Sequence, residues 1–234
     1  MWSQNASRAD PHETIWVLGG GRFGQLAARR LRPLPPAGLI YVVEKRPQAL
    51  ADSQKIAGIE AISADAVEFI AQRLAKMDAA DWVVPAVPVH VAYQWVARAL
   101  AHAGTVTPLD LYERLRPQLF NPMQGADGAI YTSIADFRCP DDCAEPPDRC
   151  TITGKPRPAI MFRHLRNLSV PGMALRVIRS HQLAPGVGGY RVSALNETLA
   201  WAKAQSTPML LATACQCHAV LHAFQYHPHR LHER

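Results

Sequence analysis

Residues 17–24 read VLGGGRFG, an apolar run that breaks into three consecutive glycines and then Arg-Phe-Gly. No other stretch constrains the fold as strongly. TIWVLGG (14–20) carries β-branched and aromatic residues and predicts a buried strand. RFGQLAARRLRPL (22–34) has helical spacing and runs into the proline cluster at 33–36, which ends the helix. A strand that turns through Gly19, Gly21 and Gly24 into a helix uses each glycine differently. The first permits a tight turn, the second lets a bound group approach the backbone, and the third lets helix and strand pack closely. The helix start adds free N–H groups and a partial positive charge. The spacing is that of a dinucleotide-binding turn.

The context extends the pattern. LIYVVE (39–44) is a second strand candidate, and a helix follows over about 47–56. IEAIS (59–63) reads as a third strand, DAVEFIAQRLAKM (65–77) as a helix, DWVVPAV (81–87) as a fourth strand, and HVAYQWVARALAHAG (90–104) as a further helix. Alternation of this kind predicts a parallel sheet with right-handed crossovers. Glu44 lies 20 residues beyond Gly24 at the end of the second strand. A carboxylate there accepts from ribose hydroxyls and disfavours a 2′-phosphate, which argues for NAD over NADP; Lys45 and Arg46 follow at once and pull the other way.

These residues resemble the TrkA-N domain, the N-terminal RCK domain that regulates potassium channels and transporters. The resemblance covers about residues 14–104 and includes the glycine turn, the acidic end of strand two, Ala64-Asp65-Ala66 after strand three, and Asp81-Trp82-Val83-Val84. The family triplet has glycine where this chain has Ala64. The resemblance implies a Rossmann-like fold holding NAD(H), with Gly19, Gly21, Arg22, Phe23 and Gly24 on the diphosphate, Glu44 on the ribose and Asp65 on the adenine side. It also implies a homodimer and a potassium transporter or channel as partner. VLGGGRFGQLAARRL is similar, over a shorter span, to the NAD-dependent precorrin-2 dehydrogenase of siroheme synthesis.

The second half reads differently. Residues 105–170 look irregular, with a strand near 128–137 and then CPDDCAEPPDRCTITGKPRP. Regular structure resumes with MALRVIRSHQL (173–183) as a strand, APGVGGY (184–190) as a loop, VSALNETLAWAKA (192–204) as a helix and PMLLATA (208–214) as a strand. The expected class is α/β: a Rossmann-like parallel sheet, a Cys-bearing connector and a second, smaller α/β subdomain. The boundaries are a flexible N-terminus at 1–13, the nucleotide domain at 14–104, the connector at 105–170, the subdomain at 171–226 and a His-rich tail at 227–234.

Composition narrows the class. Of 234 residues, 48% are hydrophobic and 19% charged, which is globular and not disordered. The net charge of +6 comes from scattered arginines without an aromatic-interleaved basic run, so no nucleic-acid partner is expected. The longest apolar runs are too short to span a bilayer, and MWSQNASRADPHET lacks the apolar core of a secretory signal; a cytoplasmic protein without membrane insertion is expected.

In a reducing compartment, five cysteines read as ligands or reactive thiols. Cys139, Cys143 and Cys150 fall within twelve residues of a Pro/Asp-rich loop, and Cys215-x-Cys217-His218 follows the last strand, where a helix start would favour thiolate. Such thiols suit zinc or an iron–sulfur cluster, and the spacing does not choose between them. Gly186-x-Gly188-Gly189, beside Ser180 and His181, offers a second anion-binding loop or a plain tight connection. His222, His227, His229 and His232 could bind metal or stay solvated. No nucleophile elbow, P-loop or paired-carboxylate signature names a reaction. Three functions therefore stand: an NAD(H)-binding regulator with a metal site, an NAD-dependent oxidoreductase with an iron–sulfur centre, and a zinc-stabilised interaction module.

Overall fold

Short apolar runs at 15–18, 40–43 and 82–84, almost wholly buried, build the centre of the first sheet. The computed structural model describes residues 13–32 and 38–229. The expected flexible N-terminus, apart from residue 13, lies outside the described residues, as do the proline cluster and His232. The chain divides into two units that interleave along the sequence. One runs up to Val91 and takes in Arg138–Arg157 and Ser180–Ala194; the other comprises Ala92–Phe137, Pro158–Arg179 and the chain from Leu195 onward.

The first unit opens with β1 (Ile15–Leu18), α1 (Arg22–Leu31), β2 (Ile40–Glu44), α2 (Pro47–Gln54), β3 (Glu60–Ser63), α3 (Ala66–Arg73) and β4 (Trp82–Pro85). The strands lie in the order β3-β2-β1-β4, all parallel, with Ile15 opposite Ile40 and Trp82. Val17, Leu18, Val42, Val43 and Val83 are fully buried, and α1 turns Gly24, Ala27, Ala28 and Leu31 inward. Small residues on that stripe let the helix sit close to the sheet. At the amino end of the strands, Asp81 accepts from the backbone N–H of Thr14 (2.9 Å) and from Trp16 Nε1 (3.0 Å), so its buried carboxylate is satisfied. Trp16 stacks on Tyr41 with ring centres 4.5 Å apart.

Two more strands join this sheet from far along the chain. Helix α4 (Val91–Ala101), strand β5 (Gly104–Leu109), helix α5 (Tyr112–Leu115), strands β6 (Met123–Gln124) and β7 (Ile130–Ser133), helix α6 (Met161–Arg166) and strand β8 (Ala174–Arg179) come first. Then β9 (His181–Ala184) and β10 (Val187–Arg191) form a hairpin whose second strand pairs antiparallel with β4. The segment expected as a loop is thus mostly strand. Gly186 turns the hairpin at φ +67°, a conformation that favours glycine. A Cβ on Gly189 would press the carbonyl of Val83 at 3.0 Å, and one on Gly188 would meet Ser180 Oγ at 2.7 Å. These glycines serve close strand approach, not an anion loop before a helix. His181 packs edge-on against Trp82.

The second unit is built on a sheet of order β6-β7-β12-β11-β8, completed by α7 (Val192–Lys203), β11 (Met209–Ala214) and β12 (His218–Pro228). Strand β12 pairs with β11 along one edge and with both β7 and β5 along the other. Its core joins Leu115, Ile130, Met161, Leu165, Leu210 and Leu221. The stretch expected as an irregular connector therefore contributes β5, β6 and β7 to a sheet. His227, expected in a tail, pairs with Thr105 inside β12, and His222 is buried and stacked on Tyr93 at 4.0 Å.

Candidate functional site

The glycine turn sits between β1 and α1, as its spacing requires. Gly19 has φ +109°, and a Cβ there would meet Val87 Cγ1 at 2.8 Å and the Ala86 carbonyl at 2.9 Å. A Cβ on Gly24 would strike the carbonyl oxygen of Gly19, so the helix can approach the turn only with glycine at this position. Gly21 is the N-cap of α1 and brings no side chain to satisfy the first-turn N–H groups. Gly20, the middle glycine, has its own reason: a Cβ would meet Ser53 Oγ at 2.8 Å and Glu44 Cβ at 2.9 Å. The sequence pattern had assigned it nothing.

Glu44, at the end of β2, is 5% exposed and fully engaged. Its Oε1 accepts from the Arg46 backbone N–H (2.8 Å) and Arg46 Nε (3.1 Å). Its Oε2 accepts from the Gly20 N–H and from Arg46 Nη2, each at 2.9 Å. The Arg46 guanidinium and these N–H groups outweigh burial and hold the carboxyl down to about 2, against an ordinary 4.5. It is an anion at any physiological pH. Asp65 N-caps α3 through the N–H groups of Val67 (2.9 Å) and Glu68 (3.1 Å), and its other oxygen pairs with Lys45 at 3.0 Å. Lys45 and those N–H bonds keep its carboxyl below the usual range.

Around these residues lies a cavity of about 380 Å³, lined by Gly19, Glu44, Lys45, Arg46, Asp65 and Val87 among others. Its floor includes the segment after β4, residues 86–89, which sequence reasoning missed. The position after a parallel strand is the available signal, since ligands in open α/β sheets bind beyond the strands' carboxyl ends. Arg22 and Phe23 do not line it. Arg22 pairs with Asp141 of the cysteine loop, and Phe23 is exposed beneath the Arg22 guanidinium.

The five cysteines are free thiols. Cys139, Cys143 and Cys150 lie in the first unit, where the Cys143 carbonyl accepts from Gly186 N–H (2.9 Å) and Gln182 Nε2 (2.7 Å). Arg30 reinforces the loop by donating to the carbonyls of Asp141 and Pro185, both at 2.6 Å. Backbone N–H groups of Thr153 and Ile152 hold the Cys150 thiol below its ordinary range, whereas burial pushes Cys139 up. Cys215 and Cys217 lie in the second unit, in the β11–β12 hairpin turn and not at a helix start. There Cys215 Sγ accepts from the N–H groups of Cys217 (3.4 Å) and His218 (3.3 Å). Among the described residues, no group of three or more His, Cys, Asp or Glu side chains is placed to hold a metal ion.

A parallel β3-β2-β1-β4 sheet with a glycine turn beneath an acidic strand end defines a Rossmann-like domain. The TrkA-N domain model matches residues 15–106. A second family model, described as "Uncharacterized protein, C-terminal domain", matches residues 92–227, more than half of the chain. The chain belongs to the family defined by that C-terminal domain, and carries a TrkA-N domain ahead of it. A protein of Archaeoglobus fulgidus, described as "Uncharacterized protein", is 26% identical over 223 residues, spanning 89% of this chain and 98% of that relative. Among the described residues no helix is long and apolar enough to cross a membrane.

Proposed function

We propose that this chain is an NAD(H)-binding regulatory protein of the TrkA-N type, one that reads the nucleotide and does not react it. The carrying observation is the cavity beside the glycine turn, whose two carboxylates are both pinned as anions: Glu44 by Arg46 and Asp65 by Lys45. Such groups accept hydrogen bonds and fix orientation, the roles that a ribose and an adenine ask of the side chains facing them. Gly19, Gly21, Arg22, Phe23 and Gly24 would face the diphosphate, Glu44 the ribose and Asp65 the adenine side. Arg22 would have to leave Asp141 to do so. The TrkA-N match supports this assignment.

NADH is expected to raise the melting temperature, and Gly21→Asp or Glu44→Ala to shrink the rise. Absence of a shift with every adenine nucleotide would sink the reading. Its remaining parts are a cytoplasmic location, a homodimer and a potassium transporter or channel as partner, the last two taken from the TrkA-N resemblance.

The cysteines extend the proposal to zinc or an iron–sulfur cluster. Support comes from Cys150, whose thiol backbone N–H groups hold below its ordinary range, and from Cys215, whose Sγ accepts from the N–H groups of Cys217 and His218. Anaerobically purified protein is expected to carry stoichiometric zinc or to show a broad absorption that dithionite bleaches. Colourless protein without metal would remove this extension and leave the nucleotide site standing.

A further inference from the structure

We propose that Arg46 is a specificity-determining latch, standing where the nucleotide's ribose would bind and making the site select phosphate-bearing nucleosides over bare ones. This rests on the reading that the cavity takes an adenine nucleotide. An ionised carboxylate offers about four acceptor positions. On Glu44 all four are filled, two by the backbone N–H groups of Gly20 and Arg46 and two by the Arg46 side chain. The backbone pair belongs to the fold. The side-chain pair is a two-pronged donor, Nε on one oxygen and Nη2 on the other, and a vicinal ribose diol would present donors in the same pattern. Ribose can dock on Glu44 only as Arg46 lets go.

The two partners are unequally free to move. The Glu44 side chain is 6% exposed, that of Arg46 64%. Displacement therefore swings the arginine into solvent and leaves the carboxylate in place. The guanidinium also lies close to the phosphate end of the site. Its Nη2 is 2.9 Å from where a Cβ on Gly21 would be, beside the start of α1. A ligand carrying a diphosphate gives the displaced cation an anion to pair with, within a short reach of its original position. A bare nucleoside replaces the arginine's hydrogen bonds to Glu44 with its own hydroxyls but gives the displaced cation no anion to pair with. Arg46 thus taxes every ribose and refunds the tax only to phosphate.

The test is calorimetric titration of the wild type, Arg46→Ala and Arg46→Lys with adenosine, ADP and NADH. Arg46→Ala is expected to bind adenosine about fivefold more tightly than wild type, and its preference for ADP over adenosine is expected to fall by at least that factor. Arg46→Lys keeps a positive charge but cannot form the two-pronged contact, so it is expected to gain adenosine affinity while retaining ADP. If the nucleotides bind but adenosine binds Arg46→Ala no better than wild type, the latch is wrong and the nucleotide site stands. If neither wild type nor variant binds any of the three ligands, the nucleotide reading falls and the latch with it.

Discussion

Replacing Gly24 by alanine is expected to cost about 3 kcal/mol or more of stability and to abolish the NADH-induced rise in melting temperature. The added Cβ would overlap the Gly19 carbonyl oxygen, a backbone atom that cannot rotate aside. Nor can the turn retreat. Gly19 is tied to the Val43 carbonyl at 2.8 Å and packed on Ala86 and Val87, so relief means moving α1 off β1. Gly21→Ala is the matched control. Its Cβ would meet only the tip of the flexible Arg46 side chain, and its cost is expected to stay within about 1 kcal/mol. Urea unfolding of both variants, with and without NADH, gives the comparison; equal stabilities would show that glycine at 24 is not a packing requirement.

The second large effect is acid sensitivity in the second unit. Burial drives the His222 imidazole down to about 4 from an ordinary 6.5, with Asp127 pulling weakly the other way. In the unfolded chain His222 takes up a proton below about pH 6.5, whereas in the folded protein it resists until about pH 4. Stability is therefore fully present above pH 6.5 and falls as the pH drops towards 4, by roughly 2 kcal/mol over that window. Glu44 acts lower, because its carboxyl is depressed from 4.5 to about 2; its contribution is lost only as pH falls through that range. Hydrogen exchange is thus expected to show β11 and β12 losing protection between pH 6.5 and 4. His222→Phe, which retains the stack on Tyr93 without a titrating group, should flatten that slope. An unchanged slope in the variant would assign the sensitivity elsewhere.

Much of the first unit was legible because its information is local. The central parallel strands β1, β2 and β4 are short apolar runs, and the helices α1, α2 and α3 each start within a few residues of a strand's end. The glycine turn, Glu44 and Asp65 could be placed for the same reason. What escaped was pairing at a distance. Nothing in APGVGGY announces that Tyr190 will pair with Val83, because antiparallel partners chosen across the sequence leave no periodic mark. The strand β12 was illegible for another reason. Leu221, His222, Ala223 and Phe224 are buried consecutively, so the alternation of a half-exposed strand is erased and the run resembles a buried helix. At the site, the acidic residue was visible and its saturation by Arg46 was not, since a rotamer has no sequence signature.

The β9–β10 hairpin has a consequence for how the protein is made. Strand β4 ends at Pro85 and its partner β10 begins at Val187, so a ribosome releases them about a hundred residues apart, roughly 5–20 s at ordinary synthesis rates. For that interval β4 is an edge strand, as β3 remains in the finished sheet, with backbone groups ready to pair with any passing strand. The residues matched by the TrkA-N model are thus synthesised well before the strand that pairs with β4. That edge gains its partner only when the ribosome has delivered most of the chain.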